Sequence, residues 1–173
     1  PNEILIGEQA FPITSRKEII KVKGQDPVEF EVKETVHGPI MNPVVKEIAA
    51  LTQNPVSSWW VYILEPSKAM EALYQINHAE TMQQVADAAA LIHAPGLNIM
   101  YGDKAGNIAW WAAAKLPIRA EKVHSKIFAY GSDPDSQPKG WYPFTENPQS
   151  INPPSGFVAS ANNQPDTTRS GIF

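Results

Sequence analysis

Two adjacent asparagines, Asn162 and Asn163, follow a short apolar run and have the chemistry to polarise a carbonyl group. They lie in the segment at residues 152–165, which reads NPPSGFVASANNQP. A neutral side-chain NH2 group can donate to the negative oxygen of a tetrahedral intermediate without the desolvation cost of a buried cation. Neighbouring side chains on an extended chain point to opposite sides, so at most one amide can serve such a site. Residue type alone favours the competing interpretation, in which both amides cap a turn before Pro165.

No obvious nucleophile accompanies these amides, because the usual motifs of hydrolases and nucleotide-binding proteins are absent. The sequence has no G-x-S-x-G, no H-E-x-x-H, no Walker loop and no G-x-G-x-x-G. The histidines lack metal-ligand spacing, and each is interpreted as structural or solvated: His37, His78, His93 and His124. Residues 101–107 lack the twelve-residue ligand pattern of a calcium loop, so a plain hairpin turn is favoured. The sequence predicts no metal site.

Two tryptophan pairs, Trp59-Trp60 and Trp110-Trp111, offer a different kind of site, an aromatic platform for a ligand. Adjacent residues on a strand face opposite ways, and buried aromatic residues more often serve a core. The core interpretation is therefore favoured.

Composition indicates a globular protein and excludes several classes of partner. The 173 residues are enough for one folding unit, with 43% hydrophobic and 18% charged residues. A formal net charge of -4 offers no attraction for phosphate backbones, so nucleic acid is not expected as a partner. No apolar run reaches the roughly 20 residues that span a bilayer, and the first residues lack a signal-peptide layout. Zero cysteines exclude disulfides and thiolate metal sites.

The elements that must position the amides combine hairpins with helices. Alternating or continuous apolar residues predict strands over residues 18–23, 28–36, 57–64, 97–101, 108–113 and 157–160. The first two and the fourth and fifth form hairpins, 57–64 is a buried strand, and 157–160 leads into the amide pair. The mixed order of hairpins and helices favours an α+β fold over a parallel βαβ fold.

Three helical segments lie between the hairpins. Residues 44–51 and 66–74 predict short helices, and a stronger helix opens at Asn77 as N-cap, with Glu80 three residues on. Residues 115–154 are rich in proline and glycine and predict a long ordered loop.

Four segments, taken in order, resemble the penicillin acylase (penicillin amidase) family of N-terminal nucleophile hydrolases. They are TVHGPI at 35–40, NIMYGDKAGNI at 98–108, LPIR at 116–119 and the stretch at 152–163. The resemblance is to an internal section of that family's large β subunit. It implies that the chain is a single unit and part of an αββα sandwich. This unit would contain a β-rich hairpin region at 1–45, helices plus a hairpin at 46–114, and a long loop with the oxyanion strand at 115–173.

The family's nucleophile is the first residue of the β subunit, usually Ser, which is activated by its own α-amino group. The resemblance implies that this residue lies upstream of the chain. Pro1 does not replace it, since a secondary amine without a hydroxyl or thiol cannot form an acyl ester. The chain by itself is therefore expected to be inactive.

Site residues carry over from the resemblance position by position. Asn162 matches the side-chain amide of the oxyanion hole, with its neighbour Asn163 as the backup candidate. Leu97 matches a position that lines the acyl pocket in the penicillin G type, and Tyr74 matches an aromatic pocket residue if the alignment is gapped.

The resemblance also implies partners and location. The expected partners are the remaining acylase α and β segments and a small-molecule amide of the β-lactam or acyl-homoserine lactone type, with no membrane or nucleic acid. No cofactor is expected, although a structural calcium is left open for the full-length protein, and the expected location is periplasmic or secreted. The alternative is a non-catalytic binding or assembly module that keeps the acylase scaffold.

Overall fold

The computed structural model describes residues 2–125, 127–161 and 163. The chain divides into two compact units, one from Pro1–Leu64 with Tyr130–Pro134 and the other from Glu65–Ala129 with Asp135–Phe173. The regular elements of the described residues are antiparallel sheets and short helices, so the predicted α+β class is confirmed. The single folding unit and its three regions stay a prediction, since compactness does not decide whether two parts fold independently.

The first unit holds five strands in two antiparallel sheets. The strands are β1 (Glu3–Ile6), β2 (Gln9–Pro12), β3 (Thr14–Ile20), β4 (Val28–Thr35) and β5 (Gly38–Pro39). Strand β1 pairs with β2, and the second sheet has the order β3-β4-β5. The predicted first hairpin is confirmed, although its first strand begins and ends earlier than expected.

Charged cross-strand neighbours explain the early start of β3. Lys17 Nζ lies 3.5 Å from the Glu29 carboxylate across the hairpin, and the Arg16 guanidinium forms an ion pair with the Glu34 carboxylate. Opposite charges on adjacent strands stabilise pairing as apolar pairs do, but they leave no apolar alternation in the sequence. On β4 the expected alternation holds, with Phe30 and Val32 half-buried between the exposed residues Glu29, Glu31 and Lys33.

The prediction of a buried strand over residues 57–64 is wrong. The segment pairs only at Ser57, through a single bridge to Ile40, and it continues into the short helix α2 (Val61–Leu64). Helix α1 (Lys46–Leu51) precedes it, as the amphipathic pattern predicts. Strand propensity depends on neighbouring strands to pair with, and residues 61–64 have none among the described residues.

The second unit packs two helices against a three-stranded antiparallel sheet of order β6-β7-β8. Its elements are α3 (Ala69–Asn77), α4 (Met82–Ala89), β6 (Leu97–Gly102), β7 (Ile108–Ala113) and β8 (Gln149–Ile151). The predicted second hairpin is confirmed as β6 and β7. Strand β8 lies inside the segment predicted to be a loop, which its three residues were too few to reveal.

The second of these helices begins later than predicted. Asn77 ends α3 instead of capping α4, and its side chain donates to the Leu73 carbonyl at 2.9 Å. The N-cap is Thr81, whose hydroxyl accepts from the Gln84 N–H at 3.2 Å while the Gln84 side chain accepts from the Thr81 N–H at 3.1 Å. This is a reciprocal capping box.

The core of the second unit lies between α4 and one face of the sheet. Trp111 is 1% exposed and packs with Val85 and Ala109, while Trp110 faces the other side and donates to Asn98 at 2.8 Å. The core interpretation is thus confirmed for Trp111, but it is wrong for Trp60, which is 52% exposed. None of the helices in the described ranges has the length and apolarity needed to cross a bilayer.

Candidate functional site

The amide pair is only partly within view, because Asn162 lies outside the described residues. Asn163 is described and exposed, and its side-chain oxygen accepts a hydrogen bond from the Ala161 N–H at 3.2 Å. This local contact is of the turn-capping type. The assignment of Asn162 to an oxyanion hole, with Asn163 as backup, stays a prediction.

The segment that leads to the amides is not a strand. Residues 157–160 were predicted to be extended in a sheet, but they belong to no strand or helix. Before them, the Gly156 N–H donates to the Pro153 carbonyl at 2.9 Å and closes a turn. The apolar run FVAS has strand-like composition without a neighbouring strand in the described residues, so composition alone misled the prediction.

The base of this segment is fixed at Asn152, directly after β8. Asn152 and Ile108 exchange two bonds: the Asn152 N–H donates to the Ile108 carbonyl, and the Ile108 N–H donates to Asn152 Oδ1, each at 2.9 Å. Asn152 Nδ2 also donates to Asn107 Oδ1 at 3.1 Å. The backbone of Asn152 is left-handed, with φ 45°, a conformation that asparagine tolerates better than most residues.

Asp103 holds the other side of this contact. Its carboxylate accepts from the Asn107 N–H and side-chain NH2 at 2.9 Å each, from the Ala105 N–H at 2.9 Å and from the Tyr101 hydroxyl at 3.0 Å. The Asn107 side-chain bond is the largest cause that lowers the pKa of Asp103. An ionised carboxylate therefore orients Asn107 so that its oxygen faces Asn152.

These bonds link Asp103, Asn107 and Asn152 into one structure, which we call the anchor network. The sequence predicted a plain hairpin turn at 101–107, and this turn is present, but its link to residue 152 was missed. The available signals were the Asp-x-x-Gly-Asn spacing of the turn and an asparagine directly before two prolines.

The two predicted pocket residues lie in different environments. Leu97 begins β6 opposite Ala113 and is half-buried against the core cluster that contains Ala72. Tyr74 lies two residues beyond Ala72 on α3, is 66% exposed and stacks at 4.2 Å on the His78 ring. The structure thus places Leu97 beside the core and Tyr74 on the solvent side of its helix. Their roles in an acyl pocket stay predictions.

Two of the histidines, His78 and His93, bind backbone carbonyl groups. Nδ1 of His93 donates to the Pro66 carbonyl at 2.7 Å, and Nδ1 of His78 donates to the Tyr74 carbonyl at 2.8 Å. Within the described part of the chain, no three His, Cys, Asp or Glu side chains come together as a metal site would require.

Comparison with protein families gives one match that covers almost all of the chain. The sequence model of the family described as penicillin amidase matches residues 1–172. A solved structure of thermostable penicillin G acylase from Alcaligenes faecalis superposes with a TM-score of 0.76 at 25% identity, covering 98% of this chain and 29% of that one.

Curated relatives agree with this match. Acyl-homoserine lactone acylase QuiP from Pseudomonas fluorescens Pf-5 is 31% identical over 87% of this chain and 18% of its own length. Penicillin acylase 2 proenzyme from Pseudomonas sp. SE83 is 30% identical over 91% of this chain and 20% of its own length. Penicillin G acylase from Escherichia coli is 31% identical over 92% of this chain and 18% of its own length. The chain thus spans about a fifth of the length of these relatives.

Fold and sequence together define the class. The chain has antiparallel sheets and short helices, and it superposes on an acylase. These features define an N-terminal nucleophile hydrolase fold. The chain belongs to the penicillin amidase family.

Proposed function

We propose that the protein containing this chain hydrolyses the amide bond of an acylated small molecule, with Asn162 as a donor in the oxyanion hole. The family match over residues 1–172, which includes the amide pair, carries this proposal. The names of the relatives support a substrate of the β-lactam or acyl-homoserine lactone type. Leu97 and Tyr74 are proposed to contact the acyl group.

The proposed nucleophile is a serine that begins the β subunit upstream of this chain. Its α-amino group takes the hydroxyl proton while the oxygen attacks the amide carbon. The negative oxygen of the intermediate then accepts from Asn162 Nδ2 and from a backbone N–H that also lies upstream. The C–N bond breaks, the amine leaves with the proton, and water hydrolyses the acyl ester.

Asn162 is proposed ahead of Asn163 because it is the amide that matches the oxyanion position of the family. Asn163 remains the backup candidate, since its bond to the Ala161 N–H is accepted by the side-chain oxygen and not made by the NH2 group.

Other segments of the acylase are the proposed partners of this chain, with no cofactor in the reaction. A periplasmic or secreted location is proposed with them, and fractionation of cells expressing the full-length protein tests it. Recovery of the activity in the cytoplasmic fraction would contradict that location.

Turnover of a chromogenic acyl amide tests where the nucleophile lies. The isolated chain should give no turnover, whereas the processed full-length protein should hydrolyse at least one member of a panel that varies the acyl chain. Turnover by the isolated chain would contradict an upstream nucleophile. A folded full-length protein without a processed serine terminus and without turnover would instead support the binding or assembly module.

A further inference from the structure

Helix α3 carries an apolar stripe on the side that faces solvent. Met70, Leu73 and Tyr74 lie at positions i, i+3 and i+4, which share one face of a helix. Their exposed fractions are 80%, 42% and 66%. The opposite side of α3 already packs inside the unit, where Ala72 is fully buried and Ile76 contacts a core cluster. The stripe is therefore a second apolar face, which the core of the unit does not use.

Helix α4 of the same unit shows the ordinary pattern of a helix that has solvent on one side. Its exposed residues are polar, namely Gln83, Gln84 and Asp87. The side chain of Gln83 donates to the Asp87 carboxylate at 2.8 Å. A surface helix normally has one apolar side toward the core and one polar side toward water. Helix α3 departs from this pattern, because apolar residues lie on both of its sides, as in a helix packed between two layers.

Polar groups border the stripe as they border protein interfaces. The Gln75 side chain donates to the Glu71 carboxylate at 3.3 Å, and Lys68 Nζ lies 3.8 Å from the same carboxylate. Protein interfaces have such polar rims, and methionine and tyrosine are enriched in their cores. A helix surface is convex, whereas sites for small molecules are concave. The stripe by itself thus fits a protein segment better than a small ligand.

The small size of the stripe decides which protein segment fits it. Stable complexes between separate chains use roughly 20–30 residues a side. The stripe is far smaller, so packing on it offsets little of the entropy that two separate molecules lose when they associate. A segment joined covalently to the chain avoids most of that loss, because its effective concentration is high. Size therefore favours a segment of the same polypeptide over a second copy of this chain.

We propose that an apolar segment of the same acylase, outside residues 1–173, packs on the stripe formed by Met70, Leu73 and Tyr74. This inference rests on the proposed function, which makes other acylase segments the partners of this chain. The curated relatives are about five times as long as the section that matches, so they contain ample sequence for such a segment. Met70 lies one helical turn from Tyr74, so it reports on the cover without altering the residue proposed to contact the acyl group.

Cysteine labelling of the processed full-length protein tests the cover directly. Residues 1–173 contain no cysteine, so Met70→Cys places one thiol on the stripe, and Gln75→Cys is the matched control on the polar side of α3. Maleimide labelling of each site is measured by peptide mass spectrometry in the folded protein and in urea. Because a covered thiol reacts only when the structure opens, folding should slow labelling of Met70→Cys by about 100-fold and that of Gln75→Cys by less than about 5-fold.

Equal slowing at the two sites would overturn the inference, and it would do so alone if the protein still hydrolyses an acyl amide. Protection of Met70→Cys that disappears on dilution, together with a halved molecular mass, would assign the stripe to a second copy and overturn the inference as well. Protection that persists in a protein without turnover would support the cover and contradict the proposed function. If Met70→Cys does not fold, Leu73→Cys is measured by the same criteria.

Discussion

At the scale of single residues, the hydrogen bonds that Asp103 accepts hold its carboxyl group in the ionised form. Its hydrogen bonds from Asn107, Tyr101 and Ala105 favour the charged form, and the Asn107 side-chain bond contributes most to lowering its pKa. A carboxyl group whose pKa is lowered by folding stabilises the folded state above its unfolded pKa of about 4. That stabilisation is lost as the pH falls through the folded pKa.

Replacing Asp103 should therefore have a pH-dependent effect on stability. Asp103→Asn puts an NH2 group against the Asn107 donor, so its Tm at neutral pH should lie below that of the wild type. The difference in Tm between the wild type and Asp103→Asn should narrow as the pH falls below about 4, because Asp103 of the wild type then becomes protonated and loses its charge. Thermal unfolding across this pH range measures the gap, with Lys104→Ala as a control that keeps the carboxylate. A gap of constant size would contradict an ionised Asp103 as the holder of the loop.

The sequence predicts local features better than long-range contacts. The turn at 101–107 is predicted from residue type and is present, whereas the assignment of Asn162 from the resemblance stays a prediction. The bond from Asn152 to Asn107 joins residues 45 positions apart, and no local pattern encodes such a contact. Long-range partners depend on how the strands pair, so the anchor network was visible only in the structure.

At the scale of elements, Thr81 defines where α4 begins. Thr81→Ala removes the hydroxyl that accepts from Gln84, so it should reduce the free energy of unfolding by about 1 kcal/mol. Asn77→Ala is the matched control, because Asn77 is exposed and ends the preceding helix; its effect should stay within about 0.5 kcal/mol. Chemical denaturation of both variants measures the difference. A larger effect at Asn77 would restore the sequence-based start of the helix.

The adjacent tryptophans of β7 test which face of the sheet is the core. Trp111→Ala should destabilise the protein by about 3–5 kcal/mol, since the ring is buried against Val85 and Ala109. Trp110→Ala should cost about 1–2 kcal/mol, because that ring is only half-buried and has one bond, to Asn98. Unfolding free energies give the order, and equal losses would show that both faces are packed alike.

The errors at this scale share a physical cause. Both confirmed hairpins have strands that pair with their neighbours in the sequence, so local alternation predicted them. The segments 57–64 and 157–160 have strand-like composition, but pairing with a distant partner decides whether such a segment joins a sheet. Strand β8 shows the opposite case. Its three residues have little apolar alternation, yet it joins the sheet by pairing with Ala109, Trp110 and Trp111 of β7.

At the scale of the whole molecule, the chain matches one section of much longer acylases. It covers about a fifth of the acylases that it matches, and its superposition covers 29% of a penicillin G acylase chain. In our proposal the nucleophile and one oxyanion donor lie on another section, and the anchor network and Asn162 lie on this one. Activity then depends on assembling the two halves of the oxyanion hole.

The most direct test of this account is the kcat of Asn162→Ala in the processed full-length protein, compared with Asn163→Ala. Asn162→Ala should lower kcat by about 100-fold or more with little change in KM, because the donor acts on the transition state. Asn163→Ala should stay within a few-fold of the wild type, since only one of two neighbouring amides on an extended chain can face the substrate. A near-normal kcat for Asn162→Ala would contradict the account, and a loss confined to Asn163→Ala would move the role to the adjacent amide.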